Sequence, residues 1–395
     1  MKKIIQGENV CLPEYKGGSI VNIPCSLLEL FGVKPAFPPL KKEIFSIEKY
    51  KGISKVVLFL FDSLGYNRLI ESGCLKEFDV KSVTSVFPST TVAAFTSFYT
   101  GVTPSVHGMV GYRLLLKEFG LTANMIKLSP VGFKQRDKLL QIGFNPRKFL
   151  PVKTIFEILG KKEIKSFAFT RMEYYKSGLS TLMLKGAEVI PYINIVDLFI
   201  NVKKILDKER KNVFVTAYID DFDTAAHYYG TRTEEEKAST EIYLKIMKDI
   251  FLDGSMKNTL ILLGSDHGQM QSPSTSKVDI GKYRWFLKGL TMPPTGEFRA
   301  SYLYLRNGME QGFLEKLNEE FSNRFIILKS DKAITLELFG DKKVSSRLKE
   351  RIGDVIMVSK GTNFLSYPYD EFELRARHGG LNENEMRVPF VVLKP

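Results

Sequence analysis

Four apolar runs restrict what this chain can fold into: residues 56–61, Val213–Ile219, residues 259–263 and residues 388–393. Each is about one strand long and almost continuously apolar, without the polar alternation of a strand that faces water on one side. Runs of this kind belong to strands buried on both faces, as in a parallel sheet covered by helices. Helix-like segments lie between them, at about 193–206 and about 234–251. The second carries Ile242, Ile246 and Ile250 on one face and acidic residues in its first turn. Strands alternating with helices predict the α/β class, with an open, mostly parallel sheet sandwiched by helices.

The pattern breaks between 285 and 360, where Met292-Pro-Pro-Thr-Gly-Glu297 precedes a strand-like stretch at 300–305, a helix-like stretch at 311–321 and a charged stretch at 341–351. We read 285–360 as a small inserted α/β cap. Residues 1–284 and 361–395 then form the core, with 1–50 wrapping it. A length of 395 residues accommodates one large α/β domain with such an insertion.

Three of the runs lead into groups able to bind a cation. Residues 56–61 run into Asp62. Val213–Ile219 runs into Asp220, Asp221 and Asp223. Residues 259–263 lead to Asp266 and His267. Sites in open α/β sheets form at the carboxyl ends of the strands, so these distant segments are expected to converge on one rim. One Asp after a strand is ordinary turn chemistry; three strands ending this way, two with a histidine, are not.

The chain has only 4 histidines. His227 follows Asp223 by one helical turn, so the two share a face of a helix. His267 is next to Asp266, and His378 opens a His-Gly-Gly turn. Imidazole with carboxylate is the ligand mix of hydrolytic zinc sites. The fourth, His107, lies in Pro104-Ser-Val-His-Gly108 and reads as structural.

A second informative segment is Phe87-Pro-Ser-Thr-Thr-Val-Ala-Ala-Phe-Thr-Ser-Phe-Tyr-Thr-Gly101. Val92, Phe95 and Phe98 or Tyr99 recur at helical spacing, and Gly101 suits the position after a helix end. Ser89, Thr90 and Thr91 then lie at the helix N-terminus. They read either as an N-cap or as a hydroxyl nucleophile, where backbone N–H groups favour an alkoxide and an incoming phosphate.

Taken in order, Leu60-Phe-Asp-Ser-Leu-Gly65, Phe87-Pro-Ser-Thr-Thr91 with Tyr99-Thr-Gly and Pro104-Ser-Val-His-Gly108, Asp223-x-x-x-His227, Ser265-Asp-His-Gly268 and His378-Gly-Gly resemble the alkaline phosphatase superfamily, in its type I phosphodiesterase or nucleotide pyrophosphatase branch. The resemblance implies an alkaline-phosphatase-like fold and two divalent metal ions, zinc above all, with manganese, cobalt or iron as alternatives. Asp62, Thr91, Asp266 and His267 would hold one ion; Asp223, His227 and His378 the other. Thr91, which matches the family position better than Thr90, would attack phosphorus and form a phosphothreonine. A metal favours the threonine alkoxide as it favours ionised water. Asp220 and Asp221 compete with Asp223, but neither has a histidine four residues on.

Two positions depart from the family. Many members carry an Asn that contacts a phosphate oxygen where Tyr112 stands, so Tyr112 or Arg113 is expected to take over that contact. Nucleotide binders place an aromatic residue after the nucleophile, where this chain has Val92; this questions a nucleotide substrate more than phosphodiester chemistry. Arg299, Tyr302 and Trp285 are expected in the core or at the surface.

The expected activity is hydrolysis of phosphodiester or pyrophosphate bonds in a small anionic ester. A phosphomonoesterase or phosphonate hydrolase would share the metal core, and a silent phosphate-binding protein is the alternative outside catalysis. The charge, 57 − 44 = +13, suits an anionic substrate. The lysines are dispersed and no basic motif is interleaved with aromatics, so no stable nucleic-acid complex is expected. No apolar run approaches the roughly 20 residues of a membrane helix, the N-terminus lacks an apolar signal region, and Cys11, Cys25 and Cys74 are odd in number. These point to the cytoplasm.

Overall fold

The computed structural model describes residues 2–254, 256–341, 344–367 and 373–394. Its central sheet has seven strands, in the order Lys81–Thr84, Arg387–Lys394, Thr259–Ser265, Lys55–Phe61, Val213–Ile219, Lys165–Arg171, Glu188–Tyr192. The five strands from Thr259–Ser265 to Glu188–Tyr192 are parallel, with Val57 in register with both Val215 and Ile261.

The run at 388–393 pairs antiparallel with both neighbours, which differs from the parallel expectation. The reason is its approach. The chain leaves His378 at the carboxyl rim and enters the sheet through the one-turn helix Glu383–Met386, so it must run back down. Antiparallel neighbours tolerate such a short connection, whereas parallel ones need a crossover.

Strand alternation divides the core. Val57, Phe59, Phe61, Val213, Val215, Ile261 and Leu263 face one cluster with Leu198, Phe199, Val202, Leu244 and Phe251. Val56, Leu58, Leu60, Phe214, Leu260 and Leu262 face another with Ala93 and Phe98. Period-2 side chains that are apolar at every position need cover on both faces, and each large one buried is worth about 1.5–3 kcal/mol. The covering helices start where the sequence offers caps: Asn194 accepts the N–H of Asp197 at Ile195–Lys208, and Thr233 that of Glu236 at Glu234–Phe251. Among the described residues, no helix is long and apolar enough to cross a membrane.

A second, antiparallel sheet runs in the order Phe325–Lys329, Val355–Ser359, Ala300–Leu303, Thr295–Gly296, Arg113–Leu116, Leu121–Asn124, Ser129–Pro130. Segment 285–360 thus supplies four strands, and three come from the chain just after the Thr91 helix. Gly296 pairs with Arg113 to join them. Tyr302, Ile326 and Ile356 share a cluster with the central sheet, while Phe286, Phe313, Phe321 and Phe325 form a separate one. From the first fifty residues, Val21, Leu27 and Phe45 also pack on the central cluster.

Candidate active site

Five of the candidate ligands follow strands of the central sheet at its carboxyl rim, and Thr91 and His378 reach it from elsewhere. Asp62 follows Lys55–Phe61 and donates its N–H to Ile219 O at 2.8 Å. Asp266 and His267 follow Thr259–Ser265. Asp223 and His227 lie one turn apart on the helix Asp221–Tyr229, directly after Val213–Ile219. His378 follows the short strand Ala376–Arg377. Thr91 is the first residue of the helix Thr91–Thr100, after the extended Thr90.

These seven residues converge. His267 Nε2 lies 3.4 Å from Asp62 Oδ1, 3.3 Å from Asp266 Oδ2 and 3.2 Å from Thr91 Oγ1. His227 Nε2 lies 3.2 Å from Asp223 Oδ2, and His378 Nε2 3.9 Å from Asp223 Oδ1. The donor atoms of Asp62, Asp266 and His267 lie within 4.8 Å of one another, as do those of Asp223, His267 and His378. By distance His267 therefore belongs to both groups, and its ring stacks on that of His378 at 3.9 Å.

The histidines are oriented alike. Nδ1 of His267 bonds Gly268 O at 3.0 Å, that of His227 bonds Ala376 O at 2.8 Å, and that of His378 bonds Ser89 O at 3.1 Å. A carbonyl can only accept, so in all three Nδ1 carries the hydrogen and Nε2 is the nitrogen turned toward the carboxylates; at His227, against the effect of burial, the adjacent Asp223 raises the imidazole pKa. This backbone support is how metal-ligating imidazoles are held. His107 is wired oppositely. Its Nδ1 accepts the N–H of Met109 at 3.0 Å, and Nε2 meets Ser97 Oγ at 3.0 Å. Burial lowers its pKa to about 3, so it is a neutral tie between the Thr91 helix and the next loop.

The turn that delivers His378 requires its two glycines. Gly379 has φ +114, and a Cβ there would stand 2.8 Å from Glu297 Cβ; one on Gly380 would stand 2.8 Å from Glu385 Oε2. Glu385 accepts the Gly380 N–H at 2.8 Å and pairs with Arg299 through Nε at 2.7 Å and Nη2 at 2.9 Å. Both side chains are fully buried.

The electrostatics call for cations. Burial, with the charges of Asp266 and Asp223, pushes Asp62 well above the carboxylate range, and burial raises Asp266 to about 7. Burial also opposes ionisation of Asp223, but the surrounding His227, His378 and His267 hold its pKa below normal. His267, desolvated, falls to about 4. Asp62 Oδ1 and Asp266 Oδ2 are buried with no hydrogen-bond partner among the described residues. Asp62 Oδ2 accepts from Tyr218, and Asp266 Oδ1 from the N–H groups of Ser63 and His267 at 2.9 and 2.8 Å. One oxygen of each carboxylate is thus fixed and the other left bare beside an imidazole lone pair, a donor set that fits a divalent ion.

Sequence reasoning missed Gln269 and Tyr218. Gln269 donates from Nε2 to Asp223 Oδ1; its place just after Ser265-Asp-His-Gly268 was the available signal. Asp220 and Asp221 both pair with Arg171, which occupies them away from the histidines.

Thr91, Asp62 and Asp223 open onto a cavity of ≈ 220 Å³ with a largely apolar wall that includes Val92, Phe95, Phe169 and Met183. Tyr112 and Arg113 are not among its lining residues. They line a separate hollow with Glu297 and Phe298. The Tyr112 N–H donates to Glu297 at 2.6 Å, its hydroxyl accepts from Asn124 at 2.6 Å, and the Arg113 guanidinium lies 5.0 Å from the Phe298 ring centre. Trp285, half-buried, packs on Phe286, Phe313 and Phe321, and Tyr302 donates to Val110 O at 2.7 Å from within the core.

The chain is similar to known proteins in sequence and in fold. The family described as type I phosphodiesterase / nucleotide pyrophosphatase matches residues 66–381. No curated protein sequence matches the chain. Murine ectonucleotide pyrophosphatase / phosphodiesterase 5 superposes with a TM-score of 0.65 at 14% identity, over 86% of this chain and 88% of that one. A structure of the same murine protein in an inactive form holds AMP. Phosphonoacetate hydrolase from Sinorhizobium meliloti 1021, with phosphonoacetate bound, superposes with a TM-score of 0.62 at 18% identity, over 86% and 90%. These likenesses establish the alkaline-phosphatase-like fold, and with the family match they make the protein a phosphoester hydrolase: the chain belongs to the type I phosphodiesterase / nucleotide pyrophosphatase family.

Proposed function

We propose that the protein is a two-metal hydrolase that cleaves phosphodiester or pyrophosphate bonds of a small anionic substrate through a phosphothreonine on Thr91. The observation that carries this reading is the position of the Thr91 hydroxyl, 3.2 Å from His267 Nε2 and at the N-terminus of a buried helix. Asp62, Asp266, His267 and Thr91 would hold one ion and Asp223, His227 and His378 the other, with zinc the ion that suits this donor set. When bound, two such ions supply Lewis acidity that favours a threonine alkoxide and neutralises the departing oxygen.

The chain's own groups do the rest. No side chain caps the Thr91 helix, so its first-turn N–H groups are available to phosphoryl oxygens. Thr91 Oγ forms the bond to phosphorus as the phosphorus–ester oxygen bond breaks; the ester oxygen leaves with its electron pair, and the threonine proton passes to solvent or to that oxygen. Water then cleaves the phosphothreonine and restores the hydroxyl. The three imidazoles, fixed through Nδ1, and the buried carboxylates hold this geometry with little reorganisation.

The test is turnover of bis-p-nitrophenyl phosphate against p-nitrophenyl phosphate with zinc, manganese or cobalt, alongside metal analysis. Faster release from the diester is expected. Preference for the monoester would overturn the diesterase assignment, and no turnover with any metal would favour a silent binder. The likeness to phosphonoacetate hydrolase, together with Val92 in place of a base-stacking aromatic, supports a second reading, phosphonate hydrolysis. Phosphonoacetate in the same panel decides it, since only that reading expects free phosphate from it.

A further inference from the structure

The cavity beside Thr91 is lined by groups of three kinds: Thr91, Asp62 and Asp223 of the candidate site; the apolar Val92, Phe95, Ile126, Phe169 and Met183; and the polar Tyr174, Ser177 and Ser180. The lining includes no lysine and one arginine, Arg136, and it includes no Asn or Gln to read the edge of a base.

Arg136 is a cation without a carboxylate partner among the described residues. Its Nη1 donates to Ile126 O at 3.1 Å, and its guanidinium lies 4.9 Å from the Tyr174 ring centre. Other arginines around the site are neutralised: Arg171 by Asp220 and Asp221, Arg68 by Glu236. Asp220, which also lines the cavity, is thereby engaged already. Arg136 is held in place by its neighbour. Asp137 has φ 65, donates its N–H to Lys127 O at 2.8 Å, and accepts the N–H of Gly178 at 3.0 Å. That last bond pins the Arg136 loop to the helix Gly178–Met183, which forms the facing wall. A guanidinium fixed by stacking and by a backbone bond keeps further donors for a planar anion such as a carboxylate or phosphate.

We infer that Arg136 selects the substrate: the preferred ester carries, on one side of the scissile phosphorus, an apolar spacer that ends in a second anionic group. The spacer lies along the Phe95, Phe169 and Met183 wall, and the terminal anion meets Arg136. This rests on the Thr91 reading of the site and deepens it by naming a substrate class.

The test uses three synthetic diesters of p-nitrophenyl phosphate whose second alcohol is an uncharged phenylalkyl chain, the same chain ending in a carboxylate, or the same chain ending in a phosphate. Cleavage of either ester bond is followed by phosphorus NMR for the metal-loaded wild type, Arg136→Gln and Arg136→Lys. The wild type should show a lower KM for an anion-ended diester than for the uncharged one. Arg136→Gln should raise that KM about tenfold, the worth of one charge-assisted hydrogen bond, while changing the uncharged diester less than twofold and leaving Tm unchanged. Arg136→Lys should recover part of the difference. Whichever of carboxylate and phosphate is preferred identifies the terminal group. Equal KM values across the three diesters, or an equal change on all of them in Arg136→Gln, would overturn the inference while leaving hydrolysis intact. No cleavage of any diester would overturn the hydrolytic reading itself, and the subsite with it.

Discussion

The two sheets of this molecule do different work. The central sheet ends at a rim where three of its strands, or the turns just beyond them, deliver Asp62, Asp223, His227, Asp266 and His267, and where Thr91 and His378 are brought in beside them. The second sheet, whose strands have two to five residues, contributes none of these groups. It supplies backing instead: Arg299 grips Glu385 under the His378 turn, Glu297 packs against Gly379, and Tyr302 ties to Val110. One region places donors; the other fixes the turns that carry them. Changes in the two should therefore fail differently.

The largest effect belongs to the rim. Thr91→Ala should lower kcat by on the order of 10³-fold or more, because it removes the proposed nucleophile, while Tm and metal content stay near wild type. Activity within tenfold of wild type would move the nucleophile elsewhere. Next comes the backing. Arg299→Ala leaves Glu385 buried without its partner, and losing one member of a buried pair costs about 3–5 kcal/mol. Denaturant unfolding should show that loss directly. A stability unchanged within error would mean that water replaces the guanidinium and that the second sheet does not brace the His378 turn.

A smaller effect separates support from ligation within the rim. Gln269→Ala removes the donor to Asp223, and loss of such a partner typically costs about 10–100-fold in metal affinity. Chelator competition should find one of two bound ions weakened and the other unaffected. Equal weakening of both would mean that the cluster binds as one unit. Per pH unit, a pH effect is the smallest. Asp266, raised by burial to about 7, must lose its proton to bind a cation. Acidification below that value then opposes binding, and zinc affinity should fall about tenfold per pH unit per proton displaced between about pH 7 and pH 5. An affinity flat across that window would show that cation binding displaces no proton from Asp266.

The contrast between the sheets also explains what could be read before folding. The rim was legible because its chemistry demands particular residue types at strand ends: scarce histidines, carboxylates after apolar runs, and a Thr-Thr pair before a helix. That His378 returns to within 3.9 Å of Asp223 followed from the same demand. The backing was not legible. Gly296 pairing with Arg113 joins segments far apart in the chain through strands too short to show periodicity. The direction of the 387–394 strand depended on how the chain leaves His378, not on its apolar pattern. Gln269 looked like any polar loop residue, and Tyr218 like another apolar strand position, until the fold aimed them at Asp223 and Asp62. Position along the chain alone points to Tyr112 and Arg113, and they stand at a hollow beside Glu297 rather than in the lining of the Thr91 cavity.

The central claim is that this rim holds two cations around Thr91. A crystal of the zinc-loaded protein, with anomalous scattering recorded at the zinc edge, tests it most directly. The account expects two peaks, one among Asp62, Thr91, Asp266 and His267, the other among Asp223, His227 and His378. A single peak, or peaks lying away from these side chains, would contradict it.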